Sequence, residues 1–309
     1  MDHPVFIGKT MRCDKCKRDA IIFQKYSGLH LCNQHFIQDL EGKAKRAIRT
    51  HQWMKRGDHI AVAISGHESS AALLFFFKKL TEKRRDITIL AITIDEGIVG
   101  YSNPTKAIQI ASSLGITCIT ADFNKAYGTT MDEIVRMKGN ADACSYCKIL
   151  RQSLLHGTAQ KHGITRIALG VNLDDEAQLV LTSILNGYPE TIAYSNRVVN
   201  CVVPFIHPFM YIPEHEVVLY AWLNIKHNFE SSLFPYITNT KEKYVKKVLN
   251  ESNFRHPSTS YSLVNFGENL ARICKDMKDQ IHTCKKCGEP CGETCLYCQI
   301  LEEVSGNVT

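Results

Sequence analysis

The chain has 309 residues, 44% of them hydrophobic and 22% charged, the make-up of an ordinary globular protein with one sizeable core and room for one or two small modules. No apolar run approaches the roughly 18 residues of a membrane helix, and "MDHPVFIGKT" lacks the form of a secretory signal, so a cytoplasmic address is expected. The formal charge of +6 lies wholly in residues 1–60, with 12 Lys/Arg against 6 Asp/Glu; such a basic module beside a neutral body favours a phosphate-rich partner such as RNA, or else marks a solvated amphipathic helix.

Thirteen cysteines are many for a reducing compartment, where C-x-x-C pairs suggest metal before disulfide. The first pair opens the sequence "CDKCKRDAIIFQKYSGLHLCNQHF". Cys13, Cys16, Cys32 and His35 supply the four N/S ligands of a closed tetrahedral zinc site. Between them "AIIFQKY" and "LHL" predict short strands around a Ser27-Gly28 turn, as in a zinc ribbon. The basic stretch "GKAKRAIRTHQWMKRG" follows.

From about 58 to 185 short β-rich runs alternate with helical ones. Strands are expected at 59–65, 86–95, 116–123 and 166–172, with helices at 70–83, 103–115 and 129–138. Continuous apolar strands between helices predict a parallel sheet covered on both faces. Ligands in such folds bind beyond the carboxyl ends of the strands, where Ser65-Gly66, Asp95-Glu96-Gly97 and Asn172 to Asp175 fall. Near the end, "CKKCGEPCGETCLYC" predicts a second zinc ribbon on Cys284, Cys287, Cys295 and Cys298, with Cys291 a fifth cysteine between the knuckles. The expected division is a zinc ribbon and basic helix (1–50), an α/β domain (51–215), a helical extension (216–280) and the second ribbon (281–309).

In this order and between two such ribbons, "AVAISGHESS", "TIDEGIVGY", "CSYCKILRQ", "GVNLDDEAQLVL", "PFMYIPEHEVVLYA" and "FPY" resemble the TtuA/TtcA-type tRNA 2-thiolation enzymes. These belong to the PP-loop ATP pyrophosphatases, and the resemblance covers nearly the whole chain. It implies a Rossmann-like PP-loop sheet and a reaction in which ATP with magnesium adenylates a tRNA uridine before sulfur displaces AMP. It also implies tRNA and a sulfide donor or sulfur-carrier protein as partners, and a homodimer.

Carried over by position, the resemblance gives Ser65, Gly66, Ser70, Asp95, Gly97 and Asn172 to ATP. It gives Asp175, Arg151, Cys144 and Cys147 to catalysis. Several positions depart from the pattern. His67 stands at the second glycine, Glu68 brings a charge that repels phosphate, and Ser69 replaces the acidic metal anchor. Arg151 stands where Lys is frequent and cannot readily carry a proton. Val171 and His207 replace a His and a Lys. Phe234 takes the third cluster cysteine's place, which counts against an iron–sulfur cluster. The departures fall on separate chemical duties and imply impaired catalysis; the alternative is a non-catalytic tRNA-binding paralogue or a partner subunit of an active thiolase.

Overall fold

The apolar run "HIAVA" has no polar face to leave in water, so it must be covered on both sides. In the computed structural model it is β3 (His59–Ala63), the middle strand of a five-stranded sheet. The structure describes residues 11–82, 84–101, 104–140, 143–187, 203–226, 229, 234–236, 240–273, 282–284, 290–291 and 295–305. The other strands are β4 (Thr88–Asp95), β5 (Cys118–Asp122), β6 (Arg166–Ala168) and β7 (Phe205–Ile206). They run in the order β5-β4-β3-β6-β7, every neighbouring pair parallel. The chain therefore winds outward from β3 in one direction through β4 and β5, then restarts on its other side with β6. That reversal is the switch point where a crevice opens above the strand ends.

Helices α2 (Glu68–Thr81), α3 (Pro104–Ser113), α4 (Phe123–Tyr127), α5 (Met131–Lys138), α6 (Ala143–Lys161) and α7 (Leu173–Asn186) connect the strands. Two of them start on a reciprocal cap in which side chain and backbone satisfy each other's donors: Thr130 with Glu133 for α5, and Asn172 with Asp175 for α7. The expected strand over 166–172 stops at Ala168. Beyond it, a Cβ added to Gly170 would lie 2.9 Å from the Ser69 backbone, so the chain leaves the sheet to pass close over the start of α2. β7, α4, α6 and α7 lie outside the expected elements; β7 and α4, of two and five residues, are too short to display a period.

The N-terminal hairpin β1 (Ile22–Gln24) and β2 (Leu29–Leu31) leads into α1 (Asn33–Thr50). Much of the basic stretch belongs to that helix, whose Phe36, Leu40, Ala44, Ala47 and Ile48 are buried. One apolar core runs without a break from Leu31 and Phe36 through α2 to Tyr220 of α8 (Glu214–Asn224). A polar staple crosses it. Glu216, with no exposed surface, accepts from Tyr26 Oη at 2.6 Å and Gln24 Nε2 at 3.2 Å, and Lys43 Nζ lies 3.5 Å away. A carboxylate held this way is tolerated in an apolar core because its oxygens are paired. Helices α9 (Thr240–Arg255) and α10 (Thr259–Ile273) pack on α7. After the short pair β8 (His282–Thr283) and β9 (Pro290–Cys291), α11 (Leu296–Ser305) lies against α6. Among the described residues no helix is long and apolar enough to cross a membrane.

Candidate functional site

The loop after β3 is buckled by one buried hydroxyl. Ser70 Oγ accepts from the Ser65 amide at 3.2 Å, donates to the His67 carbonyl at 2.9 Å and lies 3.2 Å from Ser65 Oγ. Gly66 has φ +89°, a conformation side chains disfavour, and an added Cβ would meet Lys106 Cβ at 3.2 Å. The following helix α2 has free amides in its first turn, which favour an anion. Its own Glu68 sits there and competes for the same field. His67 occupies the N-cap with no side-chain capping bond; its Nδ1 lies 3.1 Å from Ser65 Oγ.

Across the switch point, Asn172 is buried and its side chain accepts from the Asp174 and Asp175 amides. Asp175 returns the favour by accepting from the Asn172 amide at 3.1 Å. Desolvation by the surrounding protein pushes this carboxyl up to about 6, against the Asn172 amide that lowers it; the residue keeps exposed surface and stands in the first turn of a helix. Both of those effects favour the anion, so Asp175 is ionised at neutral pH. Asp95, ending β4, accepts from the Gly97 amide at 2.9 Å. Gly97 has φ +68°, and an added Cβ would collide with Thr130 Cγ2 at 2.6 Å.

A second cluster forms where α6 faces that turn. Glu96, buried, accepts from Arg151 Nε at 2.7 Å, and Arg151 Nη2 lies 3.2 Å from Cys147 Sγ. Burial pushes the Cys147 thiol up to about 11, Arg151 opposing the rise. Cys144 lies one turn away on the same helix, half-buried. The His67 and Tyr101 rings are 6.2 Å apart, Tyr101 and Phe234 5.5 Å, and Phe234 and Tyr236 5.8 Å. That aromatic row runs from the loop after β3 to the apolar cluster that buries Cys147.

Sequence reasoning passed over Glu96 as a partner, although it stands in the "DEG" turn, and passed over Glu176. The latter, 3% exposed in its side chain, holds His207 Nδ1 at 2.7 Å. Neither pairing leaves a local trace, since its members lie 55 and 31 positions apart.

Cys13, Cys16, Cys32 and His35 converge with all four ligand atoms within 4.8 Å of one another, an arrangement consistent with a zinc ribbon. Cys13 Sγ lies 3.3 Å and Cys32 Sγ 3.4 Å from His35 Nδ1, and Cys16 and Cys32 sulfurs are 3.7 Å apart. Burial raises the Cys13 thiol, but hydrogen bonds from the Cys32 and Lys15 backbone and from His35 outweigh it and take the group down to about 6. Cys284, Cys295 and Cys298 also converge within 4.8 Å; Cys287 and Cys201 lie outside the described residues, as does the surrounding of the Cys291 side chain.

Residues 12–37 match the N-terminal LIM domain of the 2-thiouridine synthetase TtuA, and residues 38–252 match the PP-loop domain. The chain is 29% identical to the tRNA 2-thiolation protein NcsA of Haloferax volcanii, over 95% of this chain and 99% of that one. It is 30% identical to a probable sulfurtransferase of Methanocaldococcus jannaschii, over 97% and 90%. Its structure is similar to that of the U34-tRNA thiolase NcsA from Methanococcus maripaludis with its 4Fe–4S cluster, with a TM-score of 0.82, 27% identity and coverage of 96% and 97%.

The last likeness corrects the expectation drawn from Phe234. A protein sharing this fold over nearly its whole length carries a 4Fe–4S cluster, so a substitution at one ligand position does not argue the group away. The physical reason lies in the packing around α6. Phe234 packs on the apolar cluster that buries Cys147, so the aromatic adds to the apolar surroundings of that thiol.

Proposed function

Because the chain belongs to the tRNA 2-thiolation family of PP-loop proteins, we propose that it binds ATP with magnesium in the switch-point crevice and acts on a uridine of tRNA. The observation that carries this reading is the close approach of Gly170 to the Ser69–Ser70 backbone. It brings the Asn172–Asp175 turn over the loop whose amides suit phosphates. In the reaction the uridine O2 attacks the α-phosphorus of ATP and pyrophosphate leaves. Asp175, an anion at neutral pH, takes the proton from N3. Sulfide from a donor then attacks C2, AMP departs and N3 regains a proton, leaving 2-thiouridine. An iron–sulfur cluster, when bound, supplies an open iron for sulfide. Arg151, clamped by Glu96, holds positive charge against the Cys147 sulfur.

The same reading includes slow turnover, since Ser69 offers magnesium no carboxylate and Glu68 opposes phosphate. It also includes zinc in the N-terminal ribbon and a homodimer. The second reading, a tRNA-binding paralogue or partner subunit without catalysis, is favoured by Ser69 and His67 alone. AMP formation from Mg-ATP by anaerobically purified protein, supplied with bulk tRNA and sulfide, separates the two. AMP released only in the presence of tRNA supports adenylation. No AMP, from a sample that holds its zinc and binds tRNA, overturns it and leaves the binding role.

A further inference from the structure

The hairpin of the N-terminal ribbon has an inner and an outer face. Gln24 and Leu31 are buried, and Ile22 and Leu29 pack on the core. Residues of the opposite parity, Ile21, Phe23 and Lys25, are exposed, with Phe23 at 46%. Phe23 does not stand alone. Its cross-strand partner is His30, and the two rings stack at 4.5 Å and 24°. His30 is fixed from behind by Asp14, whose Oδ2 accepts from the His30 amide at 2.6 Å and lies 3.6 Å from its Nδ1. The ring pair is a preset platform.

A second exposed aromatic completes the pattern. Phe254, near the end of α9 and 76% exposed, has Lys25 Nζ 4.8 Å above its ring. Arg255 and His256 follow it, both exposed. Lys25 thus stands between an aromatic of the ribbon and an aromatic of the helical extension. Single exposed apolar residues are ordinary. Two aromatic faces joined through a lysine, one on a ribbon whose segment 12–37 holds five Lys/Arg against two Asp/Glu and one beside exposed Arg255, fit one class of ligand better than others. A protein helix would want a continuous apolar groove, whereas unpaired nucleotides want stackable rings spaced by cations.

We infer that Phe23, Lys25 and Phe254 form a strip that binds unpaired nucleotides of RNA, with bases stacked on the two phenylalanines and a phosphate held by Lys25. The inference rests on the tRNA reading above and adds where and how the RNA is gripped. Double-stranded RNA presents no free base faces to such a strip.

The test uses the full zinc-loaded chain and fluorescence anisotropy with three probes: labelled oligouridylate, bulk tRNA and a blunt RNA duplex. Phe23→Ala and Phe254→Ala each weaken oligouridylate binding by about 10-fold. Phe23→Tyr restores it and Phe23→Leu does not, because stacking needs a ring. Lys25→Ala flattens the dependence of log K on log salt by about 0.7, the contribution of one phosphate contact to a single strand, while the phenylalanine variants leave that slope unchanged. Phe23→Leu binding as tightly as wild type, or equal losses on duplex and single strand, overturns the strip. Wild-type binding to tRNA that Phe23→Ala and Phe254→Ala leave intact defeats the strip alone. Wild-type protein that binds neither tRNA nor oligouridylate defeats the tRNA reading and the strip with it.

Discussion

The N-terminal ribbon and the switch-point crevice are built from the same kinds of parts, backbone amides and a few polar side chains, yet they differ in what has been kept. In the ribbon every ligand is present and converged. In the crevice the scaffolding is intact, with the positive-φ turns at Gly66 and Gly97, the Asn172 cap and the Gly170 contact. The positions to which the proposed chemistry is assigned, however, hold His67, Ser69 and Phe234. A closed metal site is also the folding energy of its module, so the loss of one ligand unfolds what it belongs to. A crevice at the end of a sheet is supported from below, and its residues change without cost to the core.

The largest expected effect tests the first half of that contrast. Cys32→Ala removes a ligand at the start of α1, and the ribbon loses metal whose binding is worth about 10–16 kcal/mol in structural zinc sites. Metal content falls by one equivalent and limited proteolysis opens the 11–31 segment; a ribbon that stays protected without metal breaks the comparison. Glu216→Ala acts on the staple between ribbon and body. It leaves Tyr26 Oη without its acceptor while Gln24 and Lys43 keep Asp39, a loss of about 3 kcal/mol, the upper end for a buried donor left unpaired, read by denaturant unfolding.

The contrast also explains how much could be read beforehand. The ribbon was legible because its ligands are adjacent in sequence as C-x-x-C and C-x-x-H knuckles. The sheet was legible because "HIAVA" and "TILAITID" are too apolar to sit at a surface. What escaped was joined over distance: Glu96 with Arg151, Glu176 with His207, and Glu216 with Tyr26 across 190 positions. Each of these glutamates looks like a surface residue until the fold buries it. Boundaries slipped for a related reason, since the end of β6 is decided by where Gly170 must pass and not by its own propensity.

Within the body, His156 of α6 gives a pH signature. It packs edge-on against Phe205 at 4.5 Å, and burial lowers its pKa from 6.5 to about 4. The unfolded chain therefore binds a proton between those values that the folded chain refuses. Stability is full above about pH 6.5 and falls as the pH drops towards 4, by about 3 kcal/mol in total. Unfolding at pH 7 and pH 4.5 measures the loss, and His156→Leu flattens it. Gly170→Ala comes next. Its Cβ would press on the backbone of Ser69 and Ser70, a cost of about 1–3 kcal/mol for an overpacked contact, with weaker ATP binding by calorimetry because the loop is displaced.

The smallest effect bears most directly on the crevice. Ser69 occupies the first turn of α2, where a carboxylate would hold magnesium against the phosphates, and its backbone is already fixed by Gly170. Ser69→Asp should therefore add a ligand without moving the loop, and Mg-ATP should bind roughly tenfold more tightly, about 1.4 kcal/mol. The gain must vanish when magnesium is removed, since a bare second acid beside Glu68 repels the nucleotide. A magnesium-dependent gain would establish that the crevice is an intact phosphate cradle lacking one ligand. A loss in both conditions would place the fault in His67 and Glu68, where the loop itself, and not its metal, has ceased to suit ATP.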